Sequence, residues 1–145
     1  MIRYLLDTDT VTLWLHGDGL VVTAVRERDL REIGIPIVVI EEIRDGWQAV
    51  IKQAKTIARM AFGYGELTAS LSELRAFQFV PHTEAAIQRH AALKKRKLNV
   101  GGNDLKIAAI ALEVDAAVVT NNESDFRRVP GLRVENWATA PTGSE

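Results

Sequence analysis

Apolar residues along this chain occur both in short continuous runs and in longer stretches with helical spacing. A short apolar run that stops at a polar residue is typical of a buried strand. Residues 4–6 form such a run and stop at Asp7. Residues 36–40 are rich in β-branched side chains, which also favour a strand. Strands are predicted in this way at residues 4–6, 36–40, 78–80, 116–119 and 132–134.

The longer stretches repeat apolar residues every three or four positions, which is the spacing of a helix with one buried face. One of them covers residues 21–33 and ends at Gly34, a residue type that often closes a helix. Residues 105–114 are apolar at almost every position, which predicts a helix buried on most sides. Helices are predicted to start near Thr8, to cover residues 21–33, to start at Glu41, and to cover residues 67–77, 84–97 (capped by Thr83) and 105–114.

The alternation of strands and helices predicts an α/β fold. Parallel strands joined by helices form a sheet that is covered on both faces, a three-layer α/β/α sandwich. We expect a central, mainly parallel sheet of four to five strands. The length of 145 residues fits one domain. We place this domain at residues 1–139 and predict a flexible tail at residues 140–145.

Acidic and amide side chains follow the predicted strands or begin a helix. In a parallel sheet the ligand binds beyond the carboxyl ends of the strands, which all meet at one edge. Asp7 directly follows the first strand, and Asp104 begins the most apolar helix. The side chains expected to converge at this edge are Asp7, Glu41 or Glu42, Asp104, and the group after the strand at 116–119, which consists of Asn121, Asn122, Glu123 and Asp125.

Each of these acids also has an ordinary structural explanation. Aspartate often caps a helix, which would account for Asp7 or Asp9, and the helix dipole favours acids such as Glu42 or Asp104 in a first turn. Neighbouring helix positions point about 100° apart, so only one of Glu41 and Glu42 can readily face a shared site. Carboxylates brought together repel one another unless a cation lies among them. An all-oxygen ligand set selects Mg²⁺ or Mn²⁺, ions suited to phosphodiester cleavage.

Composition and charge narrow the classes of function. The absence of cysteine excludes disulfides and thiolate zinc sites, and the three histidines show no zinc spacing and are expected away from the acidic edge. The N-terminal residues do not resemble a secretory signal and no apolar run has the length of a membrane span, so we expect a cytoplasmic protein. The net charge of −1 conceals two basic clusters, which are either solvated helix surface or contacts for nucleic-acid phosphates. The clusters consist of Lys94, Lys95, Arg96 and Lys97, and of Arg127 and Arg128.

Four segments combine these acids with distinctive apolar neighbours. They read YLLDTD at residues 4–9, VIEEIRDG at residues 39–46, GNDLKIAAIAL at residues 102–112 and VVTNNESDFRRVPGL at residues 118–132, with ENW at residues 135–137. The first segment is weak alone, whereas the last two together are specific. In this order, over nearly the whole chain, the segments resemble the PIN domain family, and within it the VapC-type toxins of bacterial and archaeal toxin–antitoxin pairs.

The resemblance implies a particular set of site residues. Glu42 is preferred to Glu41 because the glutamate of the family stands four residues before a glycine, here Gly46. Many members have aspartate where this chain has Asn122, so Asp125 is the expected substitute. The implied catalytic and metal-binding residues are Asp7, Glu42, Asp104 and Asp125, the supporting residues are Thr120, Asn122 and Asp9, and the RNA-binding residues are Lys94, Lys95, Arg96, Lys97, Arg127 and Arg128.

The resemblance also implies an activity and partners. It implies a Mg²⁺- (or Mn²⁺-) dependent endoribonuclease that cuts structured RNA such as tRNA and thereby inhibits translation. A DNA-binding, VapB-like antitoxin would neutralise it, and homodimers and toxin–antitoxin hetero-oligomers are expected. The apolar stretch from Trp47 to Phe62 would then be either core or partly a groove for a partner helix.

Two other functions are compatible with parts of the sequence. The order Asp7-Thr8-Asp9 after a strand also matches haloacid-dehalogenase-like phosphatases, in which Asp7 would be the nucleophile and Asp9 the general acid. That family requires a later lysine and a closing acidic pair, and the chain has no lysine after Thr120. A non-catalytic PIN fold that binds RNA or a protein is the second alternative, and Asn122 is its best support.

Overall fold

Five strands and seven α-helices make up residues 1–140, the part of the chain that this computed structural model describes. The strands are β1 (Tyr4–Leu6), β2 (Ile33–Pro36), β3 (Gln78–Val80), β4 (Ala117–Val119) and β5 (Val134–Glu135). The helices are α1 (Thr8–Leu15), α2 (Gly19–Arg26), α3 (Ile37–Gln53), α4 (Ile57–Leu74), α5 (Glu84–Lys95), α6 (Gly102–Val114) and α7 (Glu123–Phe126), with a 3₁₀ turn at Leu30–Glu32. Apart from Ala140, the predicted tail lies outside the described residues.

The strands form one sheet in the order β3-β2-β1-β4-β5, and every pair in it is parallel. In the register of the central strands, Leu5 lies opposite Gly34 on one side and Val118 on the other. This confirms the prediction of a parallel α/β sheet flanked by helices. Because all five strands run the same way, their carboxyl ends share one edge of the sheet, which we call the carboxyl edge.

The core lies between the sheet and the helices. Leu5 and Leu6 of β1 are completely buried, as expected for a central strand covered on both faces. Helix α6 is buried over five consecutive residues, 107–111, which confirms the prediction of a helix enclosed on most sides. Three of those five residues, Ala108, Ala109 and Ala111, are small, so α6 can pack closely against its neighbours.

The strand predicted at residues 36–40 is wrong. Strand β2 is Ile33–Pro36, and the β-branched residues that follow form the first turn of α3, where Val38 and Val39 are buried. Burial in the core therefore outweighed the strand preference of these side chains, which is weak compared with packing. Pro36 ends the strand because it has no N–H for a further ladder bond.

The helix predicted at residues 21–33 is also too long. Helix α2 ends at Arg26, and Gly34 lies inside β2 rather than at a helix end. A Cβ atom at Gly34 would lie 2.6 Å from Cγ2 of Val80 and 3.1 Å from Cδ2 of Leu5. Glycine is therefore required here by the close approach of β2 to its neighbours, not by a turn.

Other boundaries also differ from the predictions. Helix α4 starts at Ile57 instead of residue 67, and α6 starts at Gly102, capped by Gly101. Strand β5 lies two residues later than predicted at its start. No helix in residues 1–140 combines the length and the apolar character needed to span a membrane.

Candidate functional site

Asp7 lies at the carboxyl end of β1 and caps α1. Its side chain is only 3% exposed, Oδ1 accepts a 2.9 Å hydrogen bond from the Thr10 N–H, and its own N–H donates to the Val119 carbonyl at 3.1 Å. Burial raises the pKa of the Asp7 carboxyl, and hydrogen bonds from Thr120 and Thr10 partly oppose this rise. Asp7 therefore does cap a helix, but capping does not explain why its charge is buried at the carboxyl edge.

Asp104 lies in the first turn of α6 and is the most perturbed acid of the site. Burial, followed by the negative charges of Asp7, Glu42, Asp9 and Asp125, raises the pKa of the Asp104 carboxyl to about 6. The four other acids come from β1–α1, α3 and α7, so the fold brings widely separated parts of the chain into one electrostatic field. We call these five residues the acidic cluster.

Glu42 is tied to α1 through a hydrogen bond. The Thr8 hydroxyl donates to Oε1 of Glu42 at 2.8 Å, and Glu42 is half-buried whereas Glu41 is exposed. Because α3 begins at Ile37, both glutamates lie in its second turn, beyond the reach of the helix-dipole effect that would favour an acid. The structure thus places Glu42 toward the other acids and leaves Glu41 at the surface.

Asp125 and Asn122 belong to α7 and the turn before it. The Asn122 side-chain amide donates to Oδ2 of Asp125 at 2.8 Å, and the Asn122 N–H donates to the Thr120 hydroxyl at 2.8 Å. Arg128 pairs with Oδ1 of Asp125 at 3.1 Å. Asp125 therefore has a neutralising cation beside it. Thr120, which is fully buried, links this segment to Asp7.

The donor set of the acidic cluster fits a hard divalent cation. Within residues 1–140, no three of the acidic or histidine side chains lie close enough together to enclose a metal ion as they stand. Glu42 and Asp125 are held by Thr8, Asn122 and Arg128 instead. All donors are nevertheless carboxylate oxygens whose charges raise the pKa of Asp104, and Mg²⁺ and Mn²⁺ prefer such ligands.

The basic clusters lie at the surface and differ in their partners. Arg127 pairs with Glu123 at 2.8 Å, and Arg128 pairs with Asp125 and also donates to the Asn99 carbonyl at 2.7 Å. Lys94, Lys95, Arg96 and Lys97 are all exposed at the end of α5. Their contact with RNA stays a prediction.

The expectation that the histidines lie away from the carboxyl edge is wrong for His82. This residue follows β3, so it lies at the same edge as Asp7, on the outermost strand. Its ring packs edge-on against His90 of α5, with centroids 6.3 Å apart. The strand at residues 78–80 was predicted with the correct bounds, and the rule that carboxyl ends meet at one edge could have located His82.

The comparison with known families agrees with this geometry. The family model of the PIN domain matches residues 4–132. The chain belongs to the PIN domain family. The match spans Asp7, Glu42, Asp104 and Asp125, and it assigns the Asp7-Thr8-Asp9 segment to this family rather than to the haloacid dehalogenases.

Curated PIN domain relatives include bacterial ribonucleases. The "tRNA(fMet)-specific endonuclease VapC" of Salmonella typhimurium is 28% identical over 143 residues, which cover 94% of this chain and 99% of that protein. The "Ribonuclease VapC2" of Rickettsia felis is 47% identical over 45 residues, only 31% of this chain and 34% of that protein. Among solved structures, DNA-bound VapBC from Salmonella typhimurium has a TM-score of 0.75 at 22% identity, covering 94% of this chain and 99% of that chain. At 22% identity, the similarity to this solved structure is a similarity of fold.

Proposed function

We propose that this PIN domain is a divalent-metal-dependent endoribonuclease and the toxin of a toxin–antitoxin pair. The observation that carries the proposal is the raised pKa of Asp104, about 6, in the field of four other acids. Such a grouping of like charges destabilises a fold and is relieved when a cation binds among them. Ribonuclease relatives in the same family support the choice of activity.

The residues at the carboxyl edge would have two roles, binding the metal ion and orienting its ligands. Asp7, Glu42, Asp104 and Asp125 would hold Mg²⁺ or Mn²⁺, and Thr120 and Asn122 would orient Asp7 and Asp125 through the hydrogen bonds described above. When bound, the ion supplies positive charge beside the phosphate and favours deprotonation of water.

The reaction is a hydrolysis of one phosphodiester bond. Water oxygen forms a bond to phosphorus in line with O3′, the P–O3′ bond breaks, and a proton passes to O3′. The products are a 5′-phosphate and a 3′-hydroxyl. Asp7 lies directly at the end of a buried strand, so its carboxylate is held rigidly for this purpose.

Structured RNA, in particular tRNA, is the substrate that we propose, and inhibition of translation in the cytoplasm is the consequence. The proposal is supported by the Salmonella typhimurium relative that is named a tRNA(fMet)-specific endonuclease. Induced expression followed by sequencing of the newly formed RNA ends tests it. Cuts within tRNA that carry 5′-phosphates are expected, whereas unchanged RNA would contradict the proposal.

We further propose that an antitoxin helix binds an apolar stripe on α4, and that homodimers of this chain take part in the complex. Ile57, Met60 and Tyr64 recur at helical spacing and are 88%, 42% and 51% exposed, so they form one unpartnered face. Of the apolar stretch predicted as core or groove, Ile51 is core and Met60 is surface. Met60→Glu should prevent neutralisation of this chain by the antitoxin, which we expect the adjacent reading frame to encode, whereas Ile87→Glu on α5 should not.

A matched pair of aspartates tests the catalytic proposal. Asp7 and Asp18 both cap helices through a side-chain oxygen, and asparagine caps equally well. Loss of a residue that only orients a metal ligand costs about 10- to 100-fold in activity. We therefore expect Asp7→Asn to lower RNA cleavage by more than that with an unchanged fold, and Asp18→Asn to cleave like the wild type. Equal activity of the two variants would refute the assignment.

A non-catalytic PIN fold is the second candidate. The observation that favours it is the engagement of Asp125 by Asn122 and Arg128, which leaves fewer free carboxylate oxygens for an ion. Calorimetric titration with Mn²⁺ separates the two functions. Saturable binding that is lost in Asp104→Asn favours the nuclease, and no binding favours the non-catalytic module.

A further inference from the structure

A concavity with positive side chains lies between α5 and α6, next to the acidic cluster. It has a volume of about 430 Å³, and its polar lining comes from His90, Lys94, Gly102, Asn103 and Lys106. We propose that this α5–α6 pocket binds a backbone phosphate of the RNA adjacent to the phosphate that is cut. The inference rests on the proposed function and adds a substrate subsite to it.

The charge of the pocket is uncompensated. Within the part of the chain that the structure describes, neither Lys94 nor Lys106 forms a salt bridge. Arg89, on the same helix as Lys94, is instead held by Glu113 at 3.0 Å. No carboxylate lines the pocket. Among residues 1–140, therefore, no acid neutralises these two lysines, which can meet an anion.

His90 reports the positive potential of the pocket. Burial and then the charges of Lys106, His82 and Lys94 lower the pKa of the His90 imidazole. The same residues that line or flank the pocket thus disfavour a further positive charge in it. A bound phosphate would reverse this effect, because an anion near an imidazole favours its protonated form.

The position of the pocket suits a neighbouring phosphate of the same strand. Asn103 lines the pocket, whereas Asp104 belongs to the acidic cluster. Consecutive residues of a helix point about 100° apart, so the two sites lie on adjoining faces of one turn of α6, within about 10 Å. The unfilled N–H groups of that turn, which has no side-chain cap, add further donors beside Lys106.

Electrostatics also explains why such a subsite is needed. A phosphodiester that approaches the acidic cluster is repelled by its carboxylates until a cation neutralises them. Lys106 lies two residues after Asp104 on α6, and Lys94 lines the same pocket from α5, so the two lysines can hold the strand while the cluster acts on the next phosphate. Lys52, an exposed lysine near the end of α3, does not line the pocket and provides a matched control.

The first experiment uses inorganic phosphate as the probe and the metal-free full chain. The pKa of His90, followed by NMR, should rise with a saturable dependence on phosphate in the wild type and in Lys52→Ala. The phosphate dependence should be lost in Lys94→Ala/Lys106→Ala. No response in the wild type, or the same response in the double variant, overturns the pocket as an anion site.

The second experiment asks whether the anion is part of RNA. Binding of total tRNA is measured at several salt concentrations in the non-cleaving Asp7→Asn background. Adding Lys94→Ala should weaken binding about 3- to 10-fold and reduce the slope of log K against log salt by about 0.7 to 1, as for one lost phosphate contact. Adding Lys52→Ala should change neither the affinity nor the slope.

The two experiments distinguish failure of the subsite from failure of the proposed function. Equal effects of Lys94→Ala and Lys52→Ala on tRNA binding overturn the subsite even where the wild type cleaves RNA. A phosphate response of His90 without a difference in tRNA binding restricts the pocket to free anions and likewise overturns it. Absence of cleavage by the wild type rejects the proposed function and is seen without any lysine variant.

Discussion

The Thr8 hydroxyl donates a 2.8 Å hydrogen bond to Oε1 of Glu42 and so joins α1 to α3 at the carboxyl edge. Thr8 follows Asp7 directly, so one backbone segment fixes two acids of the cluster, Asp7 through its capping bond and Glu42 through the hydroxyl. A hydroxyl that orients a metal ligand in this way affects metal affinity although it does not touch the ion.

Removal of this hydroxyl should weaken metal binding. Thr8→Val keeps the shape of the side chain but frees Glu42, so we expect about 10-fold weaker Mn²⁺ binding by calorimetry and a similar loss of cleavage. Thr12→Val on the same helix is the control, because the Thr12 hydroxyl bonds only to the Thr8 carbonyl, at 2.9 Å. If both variants bind Mn²⁺ alike, Thr8 does not position Glu42.

Neutralising Asp104 should stabilise the metal-free protein. Because its pKa is raised to about 6, ionisation of Asp104 in the folded protein costs free energy. After discounting for solvent exposure, this cost is about 1 to 2 kcal/mol at pH 7. Asp104→Asn should thus raise the Tm in EDTA by about 3 to 6 °C, and Mg²⁺ should stabilise only the wild type. Asp45→Asn, at an exposed pair, should leave the Tm within about 1 °C.

The same pKa predicts a pH dependence of stability. Well below pH 3.8 the Asp104 carboxyl is neutral in both the folded and the unfolded chain and costs nothing. As pH rises from about 4 through 6, the unfolded carboxyl ionises first, so the metal-free wild type loses stability over this range. Denaturant unfolding at several pH values should show a smaller loss in Asp104→Asn. Identical pH profiles would contradict the raised pKa.

Replacing Asn122 with aspartate should increase the affinity of the acidic cluster for a cation. The Asn122 amide now donates to Asp125 at 2.8 Å, and a carboxylate in its place would repel Asp125. Asn122→Asp should lower the Tm of the metal-free protein and tighten Mn²⁺ binding. The largest expected effect is that the variant binds a second Mn²⁺ ion. Asn121→Asp is the control at an exposed neighbouring position. Unchanged Mn²⁺ affinity in Asn122→Asp would place residue 122 outside the ion's reach.

Two glycines should respond to alanine in opposite directions. At Gly34 the new methyl group would meet Cγ2 of Val80 at 2.6 Å, so we expect Gly34→Ala to cost about 1 to 3 kcal/mol in the free energy of unfolding. At Gly46, inside α3, nothing lies within 4 Å, and alanine should stabilise by about 0.5 to 1 kcal/mol. Urea unfolding measures both. A Gly46→Ala variant that is stable but impaired in binding a partner would locate an interface at Gly46.

The bounds of β1 and β3 could be predicted from the sequence. The bounds of β2, which leads directly into the buried first turn of α3, could not. Residues 4–6 have the predicted bounds because the apolar run stops at Asp7, and residues 78–80 because Pro81 follows the strand. The strand prediction at residues 36–40 was wrong because Val38 and Val39 would be buried in a strand as well as in the first turn of a helix, where they are found. Periodicity over five residues does not distinguish the two.

The membership of the site was more predictable than its contacts. The acids could be proposed from their places after strands and at helix starts, since these places follow from the order of elements. The Thr8–Glu42 bond, the Arg128–Asp125 pair and the approach of Lys106 to His90 depend on how helices from distant parts of the chain pack. No local pattern encodes such packing.

The place of β1 in the sheet has a consequence for the timing of synthesis. This first strand lies between β2 and β4, and its pairing with β4 requires residues 117–119. At about 5 to 20 residues per second, Asp7 waits about 6 to 20 seconds after its own synthesis before that neighbour exists. Asp104 and Asp125 also come from the last third of the chain. A nascent chain that has not reached residue 125 therefore cannot form the complete acidic cluster.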